Sequence, residues 1–258
     1  MAYSEEEARR LVIQAGLDLI NKQLIARTWG NISARISDNA FVITPSGRAY
    51  ETLAPEDLVV VSVADLSYAG DIKPSSEKGI HAAAYALRPD VNFVIHTHQF
   101  YASAVCAEGE DTEQAPCAGY GLPGTGKLKK AVAAAIEANP DKKAFLMARH
   151  GAVVLGASYE DAFREADELE TYCKGLYEAR LAEDKNAGEK RFWLDDYAQI
   201  VGFGKTLGPD EDREAIDMIS AKNSACARYV RKGRPLGFFD AALQRFVYRT
   251  KYSKLKNK

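Results

Sequence analysis

The chain has 258 residues, of which 47% are hydrophobic and 27% charged, and a formal net charge of −2. Those proportions are those of a soluble globular protein and exclude a fibrous or disordered chain. The near-neutral balance gives no global attraction to nucleic acid or to a membrane surface. Cys106, Cys117, Cys173 and Cys226 are widely spaced with no CxxC pair, so they read as free thiols in a reducing compartment. The N-terminal residues are acidic and lack the apolar core of a signal peptide. No stretch approaches the roughly 20 apolar residues of a membrane span. The expected location is the cytoplasm.

Ser4 followed by Glu5, Glu6 and Glu7 marks a helix start, with a capping hydroxyl and carboxylates in the positive first turn. Ala8, Leu11, Val12, Ala15 and Leu19 continue at the helical period to an end near residues 21–23. Residues 31–36 alternate polar and apolar, Ser37-Asp38-Asn39 is a turn, and residues 40–44 form a second strand, so the pair reads as a hairpin closed by Pro45-Ser46-Gly47. Residues 58–63 read as a third, buried strand.

From Ser76 the pattern becomes helical: a hydroxyl cap, Glu77 in the first turn, then Ile80, Ala83, Ala84 and Leu87 on one face, with Pro89 beyond the end. An apolar run, Val91-Asn92-Phe93-Val94-Ile95, reads as a strand and leads into His96-Thr97-His98. A helix is expected over residues 100–107, a loop over 108–126 and a helix over 127–138. Residues 144–148 and 152–155 are two strands separated by Arg149-His150-Gly151. Ser158 caps a long helix whose core stripe is Ala162, Ala166, Leu169, Cys173 and Leu176. Residues 184–190 read as a linker. Beyond it lie aromatic residues (Phe192, Trp193, Tyr197), a helix over 210–230 and a basic end that reads as a solvated terminus.

The four histidines are His81, His96, His98 and His150. Side chains two apart on a strand share a face, so His96 and His98 can reach one point together. Imidazole suits zinc and related divalent metals, and a catalytic zinc commonly has three protein ligands. His81 follows Glu77 by four residues on one helix face, as a buried helix residue with one hydrogen bond or as a support for the metal.

Five pieces occur in order: Thr28-Trp29-Gly30-Asn31-Ile32-Ser33, Thr44-Pro45-Ser46-Gly47, Pro74-Ser75-Ser76-Glu77, His96-Thr97-His98 and Arg149-His150-Gly151. In order and separation they resemble the class II aldolase/adducin family, over residues 8–181. The resemblance implies an α/β fold, a three-layer α/β/α arrangement with a central, largely antiparallel sheet flanked by helices. It implies a divalent metal, most often Zn2+ (Mn2+ and Co2+ also suit such ligands), held by His96, His98, His150 and Glu77, with Glu77 also acting as base. A sugar phosphate would bind at backbone-rich turns, here Gly30 and Asn31, Ser46 and Gly47, and Ser75 and Ser76. Glycine admits an anion close to backbone N–H groups, and Ser75-Ser76 precedes a helix N-terminus.

The implied activity is that of a carbon–carbon lyase resembling the fuculose-phosphate aldolase branch, cleaving a ketose 1-phosphate to dihydroxyacetone phosphate and an aldehyde. Two other readings stay open. One is a ribulose-5-phosphate 4-epimerase-like enzyme, against which stands Glu77, since that branch carries Asp after Ser-Ser. The other is a non-catalytic adducin-like scaffold, against which stands the presence of all four ligands. The resemblance further implies a cytoplasmic homotetramer with no nucleic-acid or membrane partner. Residues 1–184 are then the catalytic domain, and residues 185–258 are a helical extension packing on that domain or on a neighbouring subunit. The stretch before Pro116-Cys117-Ala118 is shorter than in that aldolase branch and lacks its proton-donor tyrosine. The donor is then Tyr101, Tyr120 or a tail tyrosine, or is absent.

Overall fold

The structure is a computed structural model that describes residues 2–25, 29–106 and 109–183. Thr28 of the first motif, and everything expected of residues 184–258, lie outside the described residues.

Helix α1 (Glu5–Asn21) starts where the sequence places it: the Glu7 N–H donates to the Ser4 hydroxyl at 3.2 Å, and Ala8, Leu11, Val12, Ala15 and Leu19 are buried. Strands β1 (Asn31–Ser37) and β2 (Ala40–Ile43) form the expected hairpin, and β3 (Val59–Ser62) pairs with β2. Helix α2 (Lys78–Leu87) is followed by β4 (Phe93–Thr97), α3 (Phe100–Cys106) and the short β5 (Cys117–Ala118). Helix α4 (Gly126–Ala138), strands β6 (Ala144–Met147) and β7 (Gly151–Gly156) and helix α5 (Tyr159–Glu183) complete the described chain.

The seven strands form one sheet in the order β3-β2-β1-β4-β7-β6-β5. Every pairing is antiparallel except β5 with β6. The sheet separates two cores. On one side Ile32, Ala34, Phe93, Ile95, Ala152 and Val154 pack against residues of α1, α3 and α5, among them Leu11, Val105 and Leu169. On the other, Phe41, Val61, Val94, Phe145 and Val153 pack against residues of α2 and α4, among them Ile80, Tyr85, Leu128 and Val132. This is the expected three-layer arrangement. Successive side chains on a strand take opposite layers, so Phe93 and Ile95 point one way while Val94 and His96 point the other.

Three local expectations change. Strand β3 lies at the edge of the sheet rather than inside it: Val59 and Val61 are buried, but Val60 and Ser62 are half-buried. Helix α2 starts later than the Ser76 cap predicts. Its N-cap is Glu77, and the Glu77 N–H donates to Ser75 Oγ at 3.2 Å. The Ser75 N–H in turn donates to Thr44 O, so this turn is tied to the β2 end before the helix begins. Leu87 is 37% exposed, while His81 and Tyr85 are buried against the sheet instead. The stretch read as loop also contains β5, and α4 is capped by the Thr125 hydroxyl.

Candidate active site

The middle of the sheet delivers the histidines. His96 lies in β4, with Asn31 opposite on β1 and Val153 opposite on β7. His98 follows one residue beyond β4. His150 sits in the tight turn between β6 and β7, which is closed by the His150 N–H donating to Met147 O at 2.9 Å. That turn needs a left-handed residue, and Arg149 takes it with φ 59°. Gly151 leaves room for the Thr97 carbonyl, which a Cβ there would strike. Glu77 enters from the cap position of α2 and is buried.

These four side chains meet. The ligating atoms of His96, His98 and His150 all lie within 4.8 Å of one another. His96 Nε2 is 3.1 Å from His98 Nε2 and 3.2 Å from Glu77 Oε2, and His150 Nε2 is 3.3 Å from Glu77 Oε1. His96 Nδ1 stands 2.8 Å from Ala152 O. A carbonyl only accepts, so Nδ1 carries the hydrogen and Nε2 turns its lone pair toward the centre of the cluster. Glu77 Oε1 is buried and accepts no hydrogen bond. Burial alone favours the neutral Glu77 carboxyl, but His150, His96 and His98 in their protonated forms outweigh it and hold the group well below the usual carboxylate range. Three imidazoles and one carboxylate that converge on one point are a donor set that fits one divalent cation.

The turns expected to take a phosphate fall into two groups. Ser46 and Ser75 belong to adjacent turns: the Ser46 N–H donates to Lys73 O, Pro45 bridges to Pro74, and Gly47 has φ 73°. Ser76 is exposed beside them. Gly30, with φ 102°, runs against the His96 carbonyl. The side chain of Asn31 is engaged already, donating from Nδ2 to Glu77 Oε2 at 3.2 Å. Tyr101 packs with Phe100 and Tyr177, at ring distances of 4.9 and 5.4 Å, in the α3–α5 layer. Tyr120 precedes the loop whose Gly124 packs against Ser76.

Sequence reasoning offered His81 as a support for the metal or as a buried residue with one hydrogen bond, and missed its partners on β1. Asn31 and Ser33 on β1 reach His81 and Tyr85 on α2. His81 makes two hydrogen bonds rather than the single one expected. The sequence shows the polar alternation Asn31, Ser33, Arg35 but not that the structure buries all three.

A cluster of three histidines and one carboxylate that could hold a cation, on a largely antiparallel sheet between two helical layers, points to the class of protein. The model of the class II aldolase and adducin N-terminal domain matches residues 10–177, and the chain belongs to that family. The chain is 30% identical over 203 residues to a 5-deoxy-D-ribulose 1-phosphate aldolase of Bacillus thuringiensis serovar kurstaki, covering 74% of this chain and 92% of that one. It is also 30% identical over 190 residues to a 3-oxo-tetronate 4-phosphate decarboxylase of Pectobacterium atrosepticum, covering 67% and 85%. Among solved structures, an L-fuculose 1-phosphate aldolase superposes with a TM-score of 0.62 at 26% identity, covering 84% of this chain and 96% of that one. The relatives thus include both an aldolase and a decarboxylase. No described helix is long and apolar enough to cross a membrane.

Proposed function

We propose that the chain is a metal-dependent aldolase that cleaves a ketose 1-phosphate to dihydroxyacetone phosphate and an aldehyde. The observation that carries this reading is the buried Glu77 carboxylate, one oxygen facing His96 and the other facing His150. A divalent cation held by His96, His98 and His150 would supply Lewis-acid stabilisation of the charge left on the oxygens when the carbon–carbon bond breaks. The chain's own part is proton transfer. In the cleavage the C4 hydroxyl loses a proton, the C3–C4 bond breaks, and C3 gains a proton, so the two products together keep every atom of the substrate. A carboxylate held ionised at neutral pH and beside the cation is suited to move such a proton. The turns at Gly30 and Asn31, Ser46 and Gly47, and Ser75 and Ser76 would take the phosphate on backbone N–H groups and hydroxyls. Family resemblance supports a cytoplasmic homotetramer. It also supports zinc as the resident metal, with manganese and cobalt accepted by the same donors.

The test is metal content per chain by plasma emission, on wild type and His96→Ala, followed by a screen of ketose 1-phosphates for dihydroxyacetone phosphate release. Close to one zinc per chain, lost in the variant, together with release from at least one substrate, is the expected result. A zinc-loaded protein that releases carbon dioxide from a 3-oxo acid phosphate, or inverts a pentulose phosphate without cleavage, would replace this reading. Absence of any divalent ion after reconstitution would point to the scaffold alternative.

A further inference from the structure

Between β1 and α2 lies a set of buried polar groups that neither metal nor phosphate binding explains. Tyr85 Oη is 2.8 Å from Ser33 Oγ, and Ser33 Oγ is 2.6 Å from His81 Nδ1. His81 Nε2 is 2.5 Å from Asn31 Oδ1, and Asn31 Nδ2 is 3.2 Å from Glu77 Oε2. All five side chains are buried. The Phe41 ring stacks on His81 at 6.4 Å, and the Arg35 guanidinium stands 4.7 Å over Tyr85.

The direction of every bond follows from one end. The Asn31 amide nitrogen, which can only donate, faces Glu77 Oε2 at 3.2 Å. The amide oxygen is left facing His81 and can only accept, so His81 Nε2 carries the hydrogen. Burial holds the His81 imidazolium down at about 3, so the ring is neutral and Nδ1 is a bare acceptor. Ser33 must then donate to Nδ1. With its proton committed, it accepts from Tyr85, whose phenol burial pushes up and keeps protonated.

We propose that Tyr85, Ser33, His81 and Asn31 form a one-way hydrogen-bond relay that orients the Glu77 carboxylate, with His81 as the positioning residue whose tautomer sets the direction. The relay assigns the Asn31 side chain to the carboxylate rather than to the phosphate. It rests on the reading of Glu77 as the proton-transfer group. Groups that orient a metal-site residue typically change activity by roughly ten- to a hundredfold when removed, without themselves touching substrate.

The first readout needs no turnover. In two-bond proton–nitrogen spectra of the zinc-reconstituted protein with 15N-labelled histidine, His81 is identified by its loss in His81→Gln. The expected tautomer is Nε2–H with a bare Nδ1. An Nδ1–H tautomer, or a cationic ring at neutral pH, overturns the relay. The second readout is kinetic. His81→Phe keeps the ring against Phe41 and donates nothing; kcat should fall roughly ten- to a hundredfold, with KM and zinc per chain unchanged. His81→Gln, whose amide can donate to Asn31 and accept from Ser33, should recover part of the loss. Wild-type kcat in His81→Phe, or a loss that tracks zinc and is not relieved by Gln, overturns the proposal. Should His81→Phe not fold, Ser33→Ala replaces it, with the same outcomes read from kcat and zinc. A wild type inactive on every sugar phosphate but carrying the Nε2–H tautomer would sink the proposed function and leave the relay standing.

Discussion

Gly30 lets two backbones meet beside the proposed metal ligands. Its φ of 102° lies where L side chains are rarely found, and a Cβ there would come 2.5 Å from the His96 carbonyl oxygen. The contact is with backbone, so nothing flexible can yield. Gly30→Ala should therefore cost roughly 2–4 kcal/mol of stability, read as a lower urea midpoint. Because His96 is the residue that must move, zinc per chain should fall in the same variant. An unchanged midpoint and full zinc would show that β1 and β4 have more slack than this contact implies. Residue by residue, much of the site was legible in the sequence, because a strand's two-residue period puts His96 and His98 on one side wherever the strand sits. What was not legible is the partner of each polar β1 residue. Ser33 finds His81 and Tyr85, 48 and 52 residues further along the chain. No local pattern says that such a face is buried rather than solvated.

Among the elements, the first turn of α3 is tied to one carboxylate of α5. Glu170 of α5 accepts the N–H groups of Tyr101 at 2.8 Å and Ala102 at 3.0 Å, closing the first turn of α3 just after His98. Burial raises the Glu170 carboxyl, the backbone donors pull it back, and the balance stands at about 7. The ordinary value is 4.5. Between those values the folded chain binds this proton more tightly than the unfolded chain does, so stability falls as pH rises through the interval. The single-group effect is on the order of 3 kcal/mol. Glu170→Gln keeps one acceptor for the turn and removes the titration. Relative to wild type it should gain stability steadily from pH 5 to pH 7.5 in chemical denaturation, and parallel curves for the two proteins would refute the assignment. The elements themselves followed from the sequence where a periodic stripe was long, as in α1 and α5. They failed where the element was short: β5 spans two residues and owes its place to parallel pairing with β6. The edge position of β3 was hidden too, since three valines in a row do not reveal how many neighbours the strand has.

At the scale of the molecule, all four proposed ligands fall between residues 77 and 150, and both described cores close within residues 2–183. Truncation after Glu183 should therefore leave zinc per chain unchanged. If residues 185–258 complete the active site or the tetramer, the truncated protein keeps its metal while losing kcat or sedimenting as a smaller species. Loss of zinc on truncation would mean that the metal-binding unit is larger than residues 1–184.

The same sheet order has a consequence for how the chain reaches its final state. His96 faces the α2 layer only because β4 pairs with β1 and β7 in one particular register. A slip of β4 by a single residue would turn His96 into the opposite layer and bring Ile95 to the ligand side. A cation therefore cannot be captured by a chain whose central strands are misaligned, and one that is captured penalises any later slip. If the proposed site holds a cation, its uptake in refolding should be a late, all-or-none event, and the fraction of chains that hold the ion would count the molecules whose strands have found the correct partners.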